Sequence, residues 1–383
     1  MHVSQFLHNL LQNTIHKARI SLLITLIEGI IKIKKLNLTA LGRALEGNIH
    51  ERSSIFKVDR FFRNIFFNNK ENQQMLYKQI IDLLIAKKKR PKIIVDWSKI
   101  PNVDQHILRA SLAAPGRALT LYEEVHPKAK EGNAKVHAQF LETLKRLLPE
   151  GCVPMVITDA GFKNPWFKKV SLLGWDYVGR VRGLVKYNDG AGFKPCKDLH
   201  QGAKDLQEES LGEKKLSRKG TLKTNFYRYK HVLIGRKKRN KNKKIATDKD
   251  SINYGKSYRE PWIIVSSLKN DCRTIRIYKQ RMSIEEAFRD MKSSQYGFDF
   301  RSNGTVKIER FALWLLLVAL STLVSWIVGY YAEKAEQHRK FQANTVKKRV
   351  LSFVYLGCQI IRKKMRFIIP WSELDDFESM CFT

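Results

Sequence analysis

KIIVDWSKI, residues 92–100, is the stretch on which the reading of the fold turns. Ile93, Ile94 and Val95 are consecutive β-favouring residues, and the apolar run ends on an acid, Asp96. A short run of this kind reads as a buried strand. HILRASLAA (106–114) and ALTLYEEVH (118–126) follow as hairpin partners, each bounded by turn residues. AKVHAQFLETLKRLLPEG (134–151) reads as a helix with a glycine stop. VPMVITDAGF (153–162) is a second β-branched run and also ends on an acid, Asp159. A helix at PWFKKVSLLG (165–174) and a strand at WDYVGRVRG (175–183) complete the series.

Three strands, helix, strand, helix, strand is the order of a ribonuclease-H-like α/β core with a mixed sheet. In that order the first strand is central and the fourth lies beside it, so Asp96 and Asp159 are expected to approach each other. A lone Asp at a strand end usually begins a turn. Two neighbouring carboxylates repel and raise each other's pKa unless a cation sits between them. Mg²⁺ suits such a site, because it prefers hard oxygen ligands and shares phosphate oxygens readily.

A third acid comes from YKQRMSIEEAFRDMK (278–292). Tyr278, Arg281, Glu285 and Lys292 are separated by steps of three, four and seven, which return a side chain to one face of a helix. They span roughly a 60° arc at 100° per residue. Ile284, Ala287, Phe288 and Met291 fill the adjoining arc, so the stretch reads as a core helix with a charged edge. Arg281 with Glu285 and Glu285 with Arg289 also have the spacing of ordinary surface pairs. Ser283 with Glu286 fits a capping box, which starts the helix at Ser283 and leaves Tyr278 and Arg281 upstream. Packed on the sheet, this helix brings Glu285 to the two aspartates.

Composition narrows the partner. The chain has 383 residues, 43% of them hydrophobic, with 71 Lys and Arg against 36 Asp and Glu and a net charge of +35. Such an excess points to a polyanion. It peaks between Lys214 and Lys244, where fourteen Lys or Arg meet no acid, and Arg236, Lys237, Lys238 and Arg239 stand at its densest point. The bland reading of that run is a solvated loop. The five cysteines have no CxxC pairing and no zinc-ligand spacing with the ten histidines, which argues for a reducing compartment. MHVSQFLHNLLQNTIHKAR lacks an uninterrupted apolar core with a cleavage site, so no signal peptide is expected. FALWLLLVALSTLVSWIVGYYA (311–332) is uncharged and long enough to span a membrane. Basic residues on both sides and the interrupting Ser321, Thr322, Ser325 and Gly329 favour a buried central helix.

Three regions follow. Residues 1–88 read as short helices with basic faces, including a helix-turn-helix-like pair, LTALGRALEG and SIFKVDRFFRN, across a Gly/Asn turn. Residues 89–303 hold the catalytic core, interrupted at 184–273 by a β-rich insertion with NFYRYKHVLIG and EPWIIVSSL. Residues 304–383 form a helical carboxyl-terminal region.

The signature Tyr278, Arg281, Glu285 and Lys292 resembles that of bacterial insertion-sequence transposases of the IS-four family, with their DDE triad. VDWS, LRAS, LTLYE, TDAGFKNPWFK, GRVRG, EPW and FQANTVKKRVLS are similar to its Tn-ten branch. The resemblance implies that Asp96, Asp159 and Glu285 are the catalytic acids and hold two Mg²⁺ ions, with Mn²⁺ as a substitute. It implies that Arg281, Lys292 and Tyr278 contact transposon-end DNA, and that a base flipped from the duplex stacks on Trp262. Arg180 and Arg182 of GRVRG join the basic run as further DNA-binding candidates. The implied activity is cut-and-paste transposition through a freed 3′-hydroxyl and a hairpin, on double-stranded transposon ends and target DNA. The implied agent is a homodimer acting in the bacterial cytoplasm at the nucleoid, without a membrane. A related nuclease such as a resolvase would need the acids but not the Tyr/Arg/Lys stripe or Trp262. A domesticated transposase would only bind DNA. WSELDDFESMCFT ends the sequence, and the resemblance implies a somewhat longer tail, so altered dimer or end contacts are expected.

Overall fold

The computed structural model describes residues 2–45, 50–85, 89–232, 260–269, 273–305, 307–346 and 348–370. In chain order its helices are α1 (His2–Leu11), α2 (Lys17–Ile33), α3 (Leu38–Ala44), α4 (Glu51–Arg63), α5 (Ile65–Asn68), α6 (Lys70–Ile85), α7 (Ala134–Leu147) and α8 (Asn164–Leu172), then α9 (Thr274–Lys279), α10 (Met282–Lys292), α11 (Ile308–Lys334) and α12 (Phe353–Arg362). The strands are β1 (Lys92–Lys99), β2 (Gln105–Ala113), β3 (Ala118–Pro127), β4 (Met155–Thr158), β5 (Asp176–Val181), β6 (Lys186–Asn188), β7 (Phe193–Pro195), β8 (Glu208–Leu216), β9 (Leu222–Tyr229) and β10 (Trp262–Ser266). The chain is mixed α/β and divides into two compact units. One holds residues 1–133, 139–152 and 282–383, and the other holds 134–138 and 153–281.

In the first unit β1, β2 and β3 form an antiparallel meander, with Asp96 directly opposite Arg109. β1 corrects one expectation, since Asp96 lies inside the strand rather than at its end. Backbone pairing runs on to Lys99 opposite His106, while side-chain burial stops at Asp96. The apolar run marks where the core ends, whereas the ladder needs only peptide groups.

The amino-terminal helices pack closely. The Asn37 side chain caps α3 by accepting the Ala40 N–H at 3.0 Å. A Cβ at Gly42 would come within 2.6 Å of the Ile55 Cα, so only glycine lets α3 lie so close to α4. α11 is the long apolar helix. It is long and apolar enough to cross a membrane, yet 89% of its most apolar window is buried, against α12, α2 and β3 among others. Glycines set its crossing with α12. A Cβ on Gly357 would stand 1.8 Å from the Ser325 carbonyl oxygen, and one on Gly329 would stand 1.9 Å from that of Phe353.

In the second unit β4 and β5 are parallel, and β5 continues antiparallel through β10, β9, β8, β6 and β7. Gly179 of β5 admits the Phe167 ring of α8, which would sit 2.3 Å from an added Cβ. The described part of the basic run is a hairpin, β8 and β9, with Lys215 directly opposite Lys223. Like charges in that position oppose each other.

The stretch 278–292 differs from a single helix. Tyr278 lies in the last turn of α9, which ends at Lys279, Gln280 and Arg281 form a turn, and α10 begins at Met282, one residue before the capping-box start. Arg289 pairs with Glu286 at 2.8 Å. The four-residue signature is therefore divided, with Tyr278 and Arg281 in the second unit and Glu285 and Lys292 in the first.

Candidate active site

Asp96, Ser98 and Lys292 make one neighbourhood in the first unit. α10 buries Ile284, Phe288 and Met291 and lies against β1, β2 and β3. That packing carries Lys292, at the last turn, over β1, where its Nζ donates to Ser98 Oγ at 2.8 Å. Ser98 and Asp96 are two residues apart on a strand and so share a face. Burial lowers the Lys292 pKa to about 8, helped by the charges of Arg109 and Arg301 and opposed by Asp96. Asp96 is only 9% exposed, and its Oδ1 accepts the Trp97 N–H at 2.9 Å. Glu285 stands in the first turn of α10, where the helix dipole favours a negative charge.

The second unit builds the other neighbourhood. Asp159 follows β4 immediately, and its Oδ1 accepts the Gly161 N–H at 2.8 Å, an Asx turn that fixes the carboxylate at the strand's carboxyl end. Trp262 opens β10 and is half-buried, with its ring 5.2 Å from Tyr278 edge-to-face and 5.6 Å from Tyr229. The Arg180 guanidinium on β5 lies 5.9 Å from the Trp262 ring centroid, and that of Arg281 lies 5.9 Å from Tyr278. Burial raises the Tyr278 phenol, with Arg281 and Arg180 opposing the shift and Asp159 adding to it. Burial also pulls Arg180 below its ordinary value.

Among the described residues, Arg180 Nε and Nη2 are buried without a hydrogen-bond partner. Buried N–H donors of a cation left unsatisfied are costly, and an anionic oxygen would satisfy them. Arg182 is engaged differently, in an ion pair with Glu260 at 2.9 Å. Arg236, Lys237, Lys238 and Arg239 lie outside the described residues.

The catalytic candidates Asp96, Asp159 and Glu285 are all carboxylates, the hard oxygen donors that Mg²⁺ and Mn²⁺ take, so the donor chemistry fits. Among the described residues, no group of three His, Cys, Asp or Glu side chains is close enough to hold a metal ion.

Residues 87–321 match the family model of the transposase DDE domain, which is more than half of the chain. The chain belongs to that family. No curated protein matches it. The matched span of the transposase includes all three acids, Arg180, Arg182, Trp262 and the whole 278–292 signature. A transposase domain implies DNA as the partner, in keeping with the net charge of +35. Sequence reasoning missed Ser98 and the buried pair Arg109 and Glu123, which pack beneath the transposase's α10. Arg109 within HILRASLAA and the adjacent Glu123 and Glu124 within LTLYEEVH, charged residues in largely buried strands, were the available signal.

Proposed function

We propose that the protein is a cut-and-paste transposase of the IS-four kind, with a ribonuclease-H-like core, whose Asp96, Asp159 and Glu285 together hold two Mg²⁺ ions. Mn²⁺ would serve in their place. When bound, such ions activate the attacking water or 3′-hydroxyl and stabilise the leaving oxygen of a phosphodiester. The chain's own residues supply the rest. Lys292, held on β1 by Ser98, offers its ammonium to a phosphate beside the scissile bond. Arg281 and Arg180 take neighbouring phosphates, and the unpartnered Nε and Nη2 of Arg180 are donors suited to that role. Arg182 and the basic run, with Arg236, Lys237, Lys238 and Arg239, add charge along the duplex. Trp262, backed by Tyr278 and Tyr229, presents an aromatic face to an extruded base. Tyr278, itself only 3% exposed, steadies that face and the DNA beside it.

Two copies would pair two transposon ends at the bacterial nucleoid, each cutting one end in trans, before strand transfer into target DNA. The observation that carries this reading is the family match over 87–321 coinciding with an intact Tyr278, Arg281, Glu285 and Lys292 signature. The test uses end-labelled duplex carrying the inverted repeats that flank the gene. A transposase nicks it to a 3′-hydroxyl and then forms and reopens a hairpin. A plain nuclease leaves nicks without hairpins, and a domesticated binder leaves the DNA shifted but uncut.

A further inference from the structure

A buried charged cluster lies beneath α10 and takes no direct part in the chemistry proposed above. Arg109 of β2 is 3% exposed and Glu123 of β3 is 6% exposed. Arg109 Nη2 stands 2.6 Å from Glu123 Oε2 and its Nε stands 2.7 Å from the same oxygen, while Tyr77 of α6 donates its hydroxyl to Oε1 at 3.4 Å. The guanidinium also grips α10, with Nη2 donating to Met291 Sδ at 3.4 Å and Cζ 4.5 Å from the centre of the Phe288 ring. Arg117 adds a second tie, its Nε 2.6 Å from Asp290 Oδ2.

A buried ion pair is a poor source of stability, since apolar residues of similar volume serve as well or better. What a guanidinium adds is a rigid plane with donors in fixed directions. Here Nε and Nη2 are held by Glu123, while Nη2 also reaches Met291 and the guanidinium lies over Phe288, two α10 side chains about one turn apart. Leucine or methionine would fill the space but would let α10 roll. We propose that Arg109 is a positioning residue, which sets the rotation of α10 and so the placement of Glu285 and Lys292. The inference rests on the reading that those two residues act on DNA.

The test replaces the cluster with apolar groups of similar size, Arg109→Met, Glu123→Leu and Tyr77→Phe together. Melting temperature and DNA affinity should hold. Exchange of the 282–292 amides should rise by about tenfold, as expected when a local element loosens. Mg²⁺-dependent nicking should fall by about tenfold to a hundredfold, as expected for ångström-scale misplacement of a reacting group. Unchanged α10 exchange overturns the inference whatever the nicking rate, and so does wild-type nicking by a variant whose α10 is loosened. Should the triple variant fail to fold, Arg109→Lys decides by the same two readouts, because it keeps the charge towards Glu123 and loses the fork. A wild-type protein that does not nick end DNA refutes the functional reading instead, and α10 exchange still tests the positioning.

Discussion

Trp262→Ala separates a hairpin-forming transposase from a nuclease that merely shares its acids. The indole is half-buried and packs on Tyr278 at 5.2 Å and Tyr229 at 5.6 Å. Each aromatic pair contributes about 0.5 to 1.5 kcal/mol beyond area burial, so losing the two pairs should cost the fold about 1 to 3 kcal/mol, to which the lost apolar area adds. At about 1 °C per kcal/mol for a chain of 383 residues, loss of the two pairs should lower the melting temperature by about 1 to 4 °C, with a further drop from the lost apolar area. Stacking of an extruded base on an aromatic face returns about 1 to 3 kcal/mol, and its loss should lower hairpin yield roughly 5- to 150-fold. First-strand nicking does not require the extruded base and should proceed at the wild-type rate. The assay is a time course on end-labelled DNA at a temperature well below the melting transition. Trp262→Phe, which keeps a face for stacking, should recover most of the hairpin yield. Normal hairpin yield from Trp262→Ala refutes the stacking role, as does an equal loss of nicking and hairpin formation.

Other predictions follow from packing and titration. Gly357→Ala gains about 1 kcal/mol of helix propensity. Its new Cβ nevertheless starts 1.8 Å from the Ser325 carbonyl, so α11 and α12 must part and the net result should be a loss of at least about 1 kcal/mol by denaturant unfolding. Lys292 titrates at about 8 in the folded chain against its ordinary 10.5, so the unfolded chain holds more protons between those values. Its buried charge costs stability at neutral pH, and that cost disappears as pH rises towards 10.5. Lys292→Met should therefore be more stable than wild type at pH 7, by a margin that shrinks on going to alkaline pH, and a constant margin contradicts this. Glu124 is opposed by burial, but hydrogen bonds from His126 and Tyr122 with the Lys70 charge bring its pKa down from 4.5 to about 2. Its ionised form should stabilise the fold above 4.5, with the gain lost as pH falls towards 2, so the destabilisation by Glu124→Gln should fade across that window in acid melts.

Strands were legible wherever burial imposed a run of β-branched residues, as at Ile93–Val95 and Val156–Ile157. The extent of β1 beyond Asp96 was not, because Trp97, Ser98 and Lys99 are held by ladder hydrogen bonds that place no demand on side-chain polarity. The break after α9 was signalled only by the Ser283 and Glu286 capping box, one residue from the observed start of α10 at Met282. Tyr278, Arg281 and Glu285 keep helical spacing across a turn at Gln280 and Arg281, and no glycine or proline marks it. α11 shows the limit of composition, since twenty-two uncharged residues fit a membrane span and a protein core equally. Of the candidate site, the acids and the aromatic were visible as motifs. The unpartnered donors of Arg180 and the Lys292–Ser98 contact depend on residues far apart in sequence, and only folding brings them together.

The most direct test of the account is strand cleavage by Asp159→Ala on end-labelled inverted-repeat DNA in Mg²⁺, beside Asp96→Ala, Glu285→Ala and the surface control Glu286→Ala. The account predicts that all four proteins bind the end, that the control nicks it, and that the three acid variants leave it whole. Substantial Mg²⁺-dependent nicking by Asp159→Ala would contradict the claim that these three carboxylates carry the reaction.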